Sequence, residues 1–193
     1  PGFEIQLDAS SLWPTDSYWA YDKQDNLGYD SYSFKHYINI MRSAYDGHRG
    51  FKIKMSVSSH TGWETTFSDA GLRKKLGENI AKLVNETDLD GVDLDFEWTY
   101  SDTGWKNYAL VVEQIRKNLK TGKILTVTPH NVSYRFPVEY MKYVDYFSQG
   151  RTDGIITYGS NLDNEELFHY MAKQPVPCVF IEGGPDNGNC NRI

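Results

Sequence analysis

The sequence predicts an α/β fold of the (β/α)8 barrel type (a TIM-type barrel), formed by one domain over residues 1–193. Short apolar segments with strand periodicity alternate with amphipathic helices, the pattern of parallel strands joined by right-handed crossovers. No glycine-rich phosphate turn follows the first strand, and this disfavours an open nucleotide-binding sheet. A complete barrel takes about 250 residues, so either the elements are compact or the barrel is incomplete in this chain and one or two β/α units are missing.

The strand segments follow one another at regular intervals. Residues 3–7 alternate apolar and polar side chains, which predicts the first strand. Residues 34–45 place their apolar side chains on one helical face. We predict the later strands at 51–57, 90–98, 124–127, 143–147 and 176–181, a strand or a loop at 154–158, and a short helix near 167–171.

Two longer helices have clear boundaries. The first covers about 68–85, with Ser68 as its N-cap, Asp69 in its first turn and apolar residues at helical spacing. The second carries Tyr108 on its apolar face and stops at Gly122. Each helix lies between two predicted strands, as a crossover connection requires.

Charge and hydropathy exclude several classes of protein. The chain has 20 Lys+Arg against 26 Asp+Glu, a net charge of −6 with no basic stripe, so we expect no nucleic-acid partner. Its longest apolar runs are far shorter than the ~20 residues of a membrane span. Aromatic residues make up 15% of the chain, which fits a core and also a surface that stacks sugar rings.

The sequence begins at Pro1 without a charged and then apolar leader, so we expect a processed chain, a trimmed chain or a fragment. We expect a secreted, periplasmic or cell-surface protein that acts as a monomer. Cys178 and Cys190 form a disulfide in an oxidising compartment or are two thiols, and both interpretations stay open. No cysteine or histidine spacing indicates zinc.

The segment from Leu89 to Trp98 carries the acids that point to chemistry. Because side chains alternate along a strand, its apolar residues face the helices and its acids face the barrel interior. These acids are Asp93, Asp95 and Glu97, with about 6–7 Å between successive Cα atoms. Glu97 is nearest the C-terminal end of the strand, where barrel active sites lie. Three such carboxylates cannot all stay ionised, so at least one should hold a proton near neutral pH.

The same three acids fit two structural interpretations. In the first they bind a cation, or pair with Arg and Lys side chains as a polar core. In the second they belong to a solvated surface strand. The uninterrupted apolar residues on the opposite face disfavour the second interpretation.

The run Asp90-Gly91-Val92-Asp93-Leu94-Asp95-Phe96-Glu97 resembles the DGxDxDxE signature of the family 18 glycoside hydrolases, which include chitinases and endo-β-N-acetylglucosaminidases. The surrounding segments are similar too. Residues 52–59 resemble the preceding strand of that family, 124–129 its fifth strand and 143–147 the lead into its sixth. The resemblance covers about residues 50 to 150 and implies the same barrel fold.

The resemblance implies a role for each acid. Glu97 would protonate the glycosidic oxygen and then act as the base that activates water. Asp95 would orient the 2-acetamido group of the substrate and stabilise an oxazolinium intermediate, and Asp93 would hydrogen-bond Asp95 and tune its protonation. Asp90 would be structural. The nucleophile would be the acetamide oxygen of the substrate, and neither a metal nor an organic cofactor is implied.

The chain departs from the family pattern in several places. The first-strand region of the family and the tryptophan of its eighth strand are not identifiable in this sequence. Ser58 and Ser59 stand where the family usually has a glycine pair, and no tyrosine follows 143–147 in register. Tyr158 either takes the place of that tyrosine, which would bind the acetamide oxygen, or is an ordinary half-buried residue. Three aromatic residues near strand ends either stack against sugar rings or pack within loops: Trp63, Trp98 and Tyr100.

We therefore predict a retaining glycoside hydrolase that cleaves β-1,4 linkages at N-acetylglucosamine in chitin or chito-oligosaccharides. One alternative is an endo-β-N-acetylglucosaminidase acting on the N-glycan core. Another is a chitin-binding lectin on the same scaffold, although such relatives usually lack the acid at the position of Glu97. A third is a barrel that binds a cation through Asp93, Asp95 and Glu97.

Overall fold

The structure, a computed structural model, describes residues 3–4, 38–39, 41–43, 52–59, 67–96, 101–128, 144–158, 169–181 and 190–192, without the side chains of 3–4, 58–59, 102, 158 and 190–192. Its strands are β1 (Phe3–Glu4), β2 (Lys54–Ser59), β3 (Gly91–Phe96), β4 (Ile124–Val127), β5 (Gly154–Tyr158), β6 (Cys178–Ile181) and β7 (Cys190–Arg192). The helices are α1 (Ala70–Glu86) and α2 (Asp102–Asn118).

The seven strands form one sheet, in which every neighbouring pair is parallel and the order β1 to β7 follows the chain. This is the strand order of a (β/α) barrel and confirms the predicted α/β class. Within the described residues β7 does not pair with β1, so the sheet is open. The length of the chain left two alternatives, compact elements or an incomplete barrel, and the open sheet agrees with the second.

Helix α1 begins differently from the prediction. Asp69, not Ser68, is the N-cap, because Asp69 Oδ1 accepts a 2.8 Å hydrogen bond from the N–H of Leu72. Aspartate and serine are equally good N-caps, and the sequence offered both side by side. The buried face is the predicted one and comprises Leu76, Gly77, Ile80, Ala81, Leu83 and Val84.

Helix α2 ends earlier than predicted. Ser101 Oγ caps its start by accepting the N–H of Gly104 at 2.9 Å. The helix stops at Asn118, and Gly122 lies beyond it in the turn that leads to β4. The φ of Gly122 is 87°, a conformation that glycine adopts without strain, so this residue does mark a turn but not the helix end.

The prediction of a strand at 143–147 is wrong in the described part, because residues 144–148 are helical. Val144 and Phe147 are fully buried and Ser148 is 3% exposed, which is an i, i+3, i+4 pattern of burial. A segment of five residues is too short for its sequence to separate a helix from a strand, and the burial of Val144 and Phe147 decides for the helix. The next strand of the sheet is β5, and it lies at 154–158, the segment that was predicted as either a strand or a loop.

The ends of the sheet add two differences. Strand β2 lies about three residues further along the chain than the predicted 51–57, and β7 was not predicted. Strands β6 and β7 pair with Cys178 opposite Cys190. The side chain of Cys190 is outside the described residues, so the two interpretations of the cysteines stay open.

The hydrophobic core lies between one face of the sheet and the helices. Val57, Val92, Leu94, Phe96 and Val127 are each 0% exposed on this face. The alternate residues of β2 and β3 point the other way and are more polar, which leaves the acids of β3 away from the core. In the described part of the chain, no helix has the length and apolar character to cross a membrane.

Candidate active site

Strand β3 places two of the predicted acids on one face, with a strand on each side. Asp93 and Asp95 are two residues apart and therefore share a face. In the register of the sheet, Asp93 lies between Ser56 of β2 and Thr126 of β4, and Asp95 lies beside Ser58. Asp93 is 9% exposed, whereas Asp95 is half-buried, so exposure of the two acids increases towards the C-terminal end of the strand.

Both carboxylate oxygens of Asp93 accept hydrogen bonds from threonines. Thr128 Oγ1 donates to Asp93 Oδ2 at 2.9 Å, and Thr126 Oγ1 donates to Asp93 Oδ1 in a short hydrogen bond. A buried carboxylate is costly unless its oxygens are satisfied. The two hydroxyls of the adjacent strand therefore hold the Asp93 side chain in one orientation.

A lysine joins this network from the other side of β3. Lys54 Nζ donates to Thr126 Oγ1 at 2.7 Å, and Thr126 in turn donates to Asp93. Sequence reasoning did not single out Lys54, Thr126 or Thr128. A signal was present, because Lys54 shares its strand alternation with Ser56, and a lysine at an inward position needs a partner. The polar-core interpretation paired the acids with Arg and Lys side chains. For Asp93 the structure shows a lysine in its hydrogen-bond network, linked through a threonine and not as a direct ion pair.

Several predicted site residues lie outside the described residues. Glu97 follows Phe96, the last residue of β3, and is one of them. The proposed sugar-stacking residues also fall there: Trp63, Trp98 and Tyr100. Across the described ranges, no group of three or more His, Cys, Asp or Glu is placed to hold a metal ion. The cation site considered above includes Glu97 and so is only partly within these ranges.

Tyr158 is the final residue of β5 and pairs with Ile181 of β6. Gly154, at the start of the same strand, pairs with Thr126, which itself pairs with Asp93. Counting in twos from Gly154, the position of Tyr158 falls on the same alternation as Asp93. The side chain of Tyr158 is outside the described part, so its contact with an acetamide group stays a prediction.

Asp90 anchors the opposite end of β3. Its Oδ2 accepts the N–H of Ile53 at 2.7 Å and Arg42 Nη2 at 2.6 Å, and Lys52 Nζ lies 3.4 Å from Oδ1. Burial would raise the pKa of Asp90, but these hydrogen bonds and the charge of Arg42 outweigh it, so the pKa is lowered below its usual 3.8. This geometry agrees with the structural role that the resemblance implied.

Helix α2 supports β3 from behind. Tyr108 Oη donates a 2.7 Å hydrogen bond to the carbonyl of Leu94, midway between the two acids in sequence. The Tyr108 ring is 0% exposed and contacts the rings of Phe96 and Phe147, with centroids 5.5 Å and 5.4 Å away. The acid-bearing strand therefore rests on a rigid aromatic layer.

Seven parallel strands in chain order are the strand order of a (β/α) barrel, a fold in which functional sites lie at the C-terminal ends of the strands. Residues 11–153 match the family described as glycosyl hydrolases family 18. Because the match covers most of the chain, this protein belongs to glycoside hydrolase family 18.

Individual relatives are more distant. "Chitinase 1" from Aphanocladium album is 23% identical over 108 residues, which cover 54% of this chain and 25% of that protein. The chain spans about a quarter of the length of the curated relatives it matches. It therefore aligns with only part of those relatives.

Solved structures share the fold at low sequence identity. The chitinase-like agglutinin RobpsCRA from Robinia pseudoacacia has a TM-score of 0.65 at 14% identity, covering 94% of this chain and 61% of that one. A family 18 N-acetylglucosaminidase from Paenibacillus barengoltzii has a TM-score of 0.55 at 16% identity, covering 74% of this chain and 54% of that one. These likenesses show the fold.

Proposed function

We propose that this chain belongs to the catalytic barrel of a retaining glycoside hydrolase that cleaves β-1,4 linkages at N-acetylglucosamine. The observation that supports this most is the shared face of Asp93 and Asp95 on β3, which leads in steps of two to Glu97. Barrel active sites lie at the end of the strand towards which these acids run. Membership of family 18 supports the same reaction class.

The proposed reaction divides the work between the acids and the substrate. Glu97 gives its proton to the glycosidic oxygen while the acetamide oxygen of the substrate attacks C1, so the C1–O bond breaks and an oxazolinium forms. Asp95 orients the acetamido group and balances its positive charge. Water then attacks C1 and gives its proton to Glu97 while the C1–O bond of the oxazolinium breaks, which restores the acid and the acetamide. The two successive inversions at C1 retain the anomeric configuration. Tyr158 is proposed to hydrogen-bond the acetamide oxygen.

We propose chitin or chito-oligosaccharides as the substrate. Two similar proteins are named a chitinase and an N-acetylglucosaminidase, and both names refer to N-acetylglucosamine polymers or residues. Trp63, Trp98 and Tyr100 are the proposed sugar-stacking residues. Because chitin is an extracellular polymer, we propose a secreted, periplasmic or cell-surface protein.

A sugar-binding protein without catalysis is the second candidate. RobpsCRA, named a chitinase-like agglutinin, has this fold, and the hydrogen bonds between Lys54, Thr126 and Asp93 form a polar network that needs no reaction to explain it. Glu97, the acid that non-catalytic relatives usually lack, favours the enzyme.

The test compares Glu97→Gln with Glu86→Gln in the full chain. Glu86 is exposed at the end of α1, so its substitution is a matched control away from the acids. Hydrolysis of chito-oligosaccharides and of a high-mannose glycopeptide is followed by mass spectrometry, product configuration by proton NMR and sugar binding by calorimetry. We expect Glu97→Gln to lose at least about 100-fold in kcat, the lower end for a general acid, while binding is kept.

Each result separates the candidates. Cleavage of the glycopeptide instead of the oligosaccharides would identify the N-glycan alternative. A parent protein that binds sugar but cleaves neither substrate would be a lectin. Activity that a chelator abolishes would support the cation-binding barrel, and inverted products would exclude substrate assistance.

A further inference from the structure

The aromatic layer behind β3 contains a buried hydroxyl that ring packing does not explain. The Tyr108 ring is 0% exposed, and its centroid lies 5.4–6.3 Å from those of four other rings: Phe67, Phe96, Trp105 and Phe147. A phenylalanine ring would make the same contacts. A buried hydroxyl is costly unless it is hydrogen-bonded, and Tyr108 Oη donates to the carbonyl of Leu94 at 2.7 Å. The role of this hydroxyl therefore lies in what it does to Leu94.

The carbonyl of Leu94 accepts two hydrogen bonds from different directions. The N–H of Thr128, one residue beyond β4, donates at 2.8 Å and continues the ladder between β3 and β4. Tyr108 Oη donates from the helix side of the sheet. A carbonyl oxygen has two lone pairs, so it can accept both. The ladder bond alone would leave the peptide between Leu94 and Asp95 free to tilt about that bond, and the bond from Tyr108 restricts this tilt.

Tyr108 contacts both chain neighbours of Asp95. It bonds the carbonyl of Leu94 on one side, and its ring packs edge-on against Phe96 on the other, with centroids 5.5 Å apart and an interplanar angle of 84°. Leu94 and Phe96 are 0% exposed and face the helices, so the side chain of Asp95 between them points to the opposite face. A single residue of α2 therefore holds the backbone of β3 before and after Asp95.

We propose that Tyr108 is a positioning residue, which acts through Leu94 and Phe96 to hold Asp95 in the orientation that the acetamido group of the substrate requires. The proposal rests on the proposed function for its catalytic consequence. Displacing a catalytic group by about 1 Å can cost about 100-fold in rate. Loss of the hydroxyl leaves the ladder bond and the ring packing in place, so we expect a smaller loss, about tenfold. It should fall on kcat, because the direction of the acetamide oxygen towards C1 matters more in the transition state than in binding.

The primary test measures kcat and KM on chito-oligosaccharides for Tyr108→Phe and Tyr146→Phe in the full chain. Tyr146→Phe is the matched control, because Tyr146 Oη also donates a 2.7 Å hydrogen bond, to Glu113 Oε2 on the exposed side of α2. Rates are normalised to the folded fraction found by urea unfolding, so a loss of stability does not by itself lower kcat. We expect Tyr108→Phe to lose about tenfold in kcat while KM changes less than about twofold, and Tyr146→Phe to keep both.

A double-mutant cycle examines whether the effect passes through Asp95. In an Asp95→Asn background the Tyr108 hydroxyl has no carboxylate to orient, so adding Tyr108→Phe should lower kcat by less than about twofold. A tenfold loss in both backgrounds would mean that Tyr108 acts by another route, and it would overturn the proposal. An unchanged kcat in Tyr108→Phe, or an equal loss in Tyr146→Phe, would overturn it as well.

A second measurement does not depend on hydrolysis. In protein labelled with 13C at aspartate carboxyls, the Asp95 signal is assigned by its loss in Asp95→Asn, and the signal of Asp153, which precedes β5, is the internal reference. We expect Tyr108→Phe to shift or broaden the Asp95 signal and to leave the Asp153 signal in place. If the parent has no hydrolase activity, the proposed function fails while this comparison still decides the role of Tyr108. Coincident Asp95 signals in the folded parent and in folded Tyr108→Phe refute that role.

Discussion

Gly91→Ala tests how closely β3 and β4 approach beneath the acids. A Cβ at Gly91 would lie 2.1 Å from the carbonyl oxygen of Ile124 and 2.7 Å from its carbonyl carbon, more than about 1 Å inside a normal contact for the oxygen. Both partners of the clash are backbone, so no rotamer relieves it and the strands must separate. The 2.8 Å hydrogen bond from Ile124 N–H to the carbonyl of Asp90 lies beside the clash and would stretch with it.

The expected loss in the free energy of unfolding is about 3 kcal/mol, the upper end for overpacking. For a domain of this size that lowers Tm by roughly 6–12 °C. Urea unfolding followed by far-UV circular dichroism measures the loss. Gly122→Ala is the matched control, because a Cβ there meets nothing within 4 Å and only its φ of 87° is unfavourable, which costs about 1–2 kcal/mol. The reasoning is refuted if Gly91→Ala loses no more than Gly122→Ala.

Three further predictions concern the support of the site. Gly77→Ala should lower the free energy of unfolding, measured in urea, by about 2 kcal/mol, because the new Cβ would lie 2.6 Å from Gln114 Cβ between α1 and α2. A stabilised variant, the usual result of this substitution in an exposed helix, would contradict the close packing. Tyr108→Phe should cost about 1 kcal/mol in the same assay, because it removes the hydrogen bond to Leu94, and a loss above about 3 kcal/mol would mean that the ring moves as well. Asp90→Asn should cost about 2 kcal/mol at pH 7. The pKa of Asp90 in the folded protein is lowered below 3.8, so its contribution to the free energy of unfolding is complete above the unfolded pKa and is lost as the pH falls through the folded pKa. Between pH 7 and pH 2 the free energy of unfolding should therefore fall less in Asp90→Asn than in the parent protein.

The elements that local periodicity encodes could be predicted from the sequence. Strand β4 has the predicted bounds, and the acid-bearing segment is a strand, because alternation of apolar residues with acids leaves a helix no apolar face. Residues 144–148 show where this reasoning fails. A segment of five residues is too short to separate the two periods, and only the packing of Val144 and Phe147 against the core selects the helix.

The network around Asp93 could not be predicted in the same way. Whether Thr126 lies beside Asp93 depends on the register between β3 and β4, and register is set by contacts distant in sequence. Lys54 is harder still, because its partner is two strands away. A single sequence identifies the acids of a site more readily than the neutral hydroxyls that orient them.

The pair Asp153-Gly154 at the start of β5 repeats the backbone contacts that Asp90-Gly91 makes at the start of β3. The N–H of Asp90 donates to the carbonyl of Ile53 at 2.7 Å while its Oδ2 accepts the N–H of Ile53 at 2.7 Å. Asp153, which precedes Gly154 of β5, makes the same two bonds with Leu125, at 2.7 and 2.8 Å. Each aspartate thus clamps the preceding strand through both backbone groups of one residue.

An arginine completes each clamp, since Arg42 Nη2 lies 2.6 Å from Asp90 Oδ2 and Arg116 Nη2 lies 2.5 Å from Asp153 Oδ2. Strand β5 carries no acid after its clamp, where Ile156 holds the position that Asp93 has in β3. The clamp is therefore independent of the chemistry and serves to fix where a strand begins against its neighbour. On β3 the clamp fixes the start of the strand against β2, so it sets the register in which Ser56 lies opposite Asp93 and Ser58 opposite Asp95.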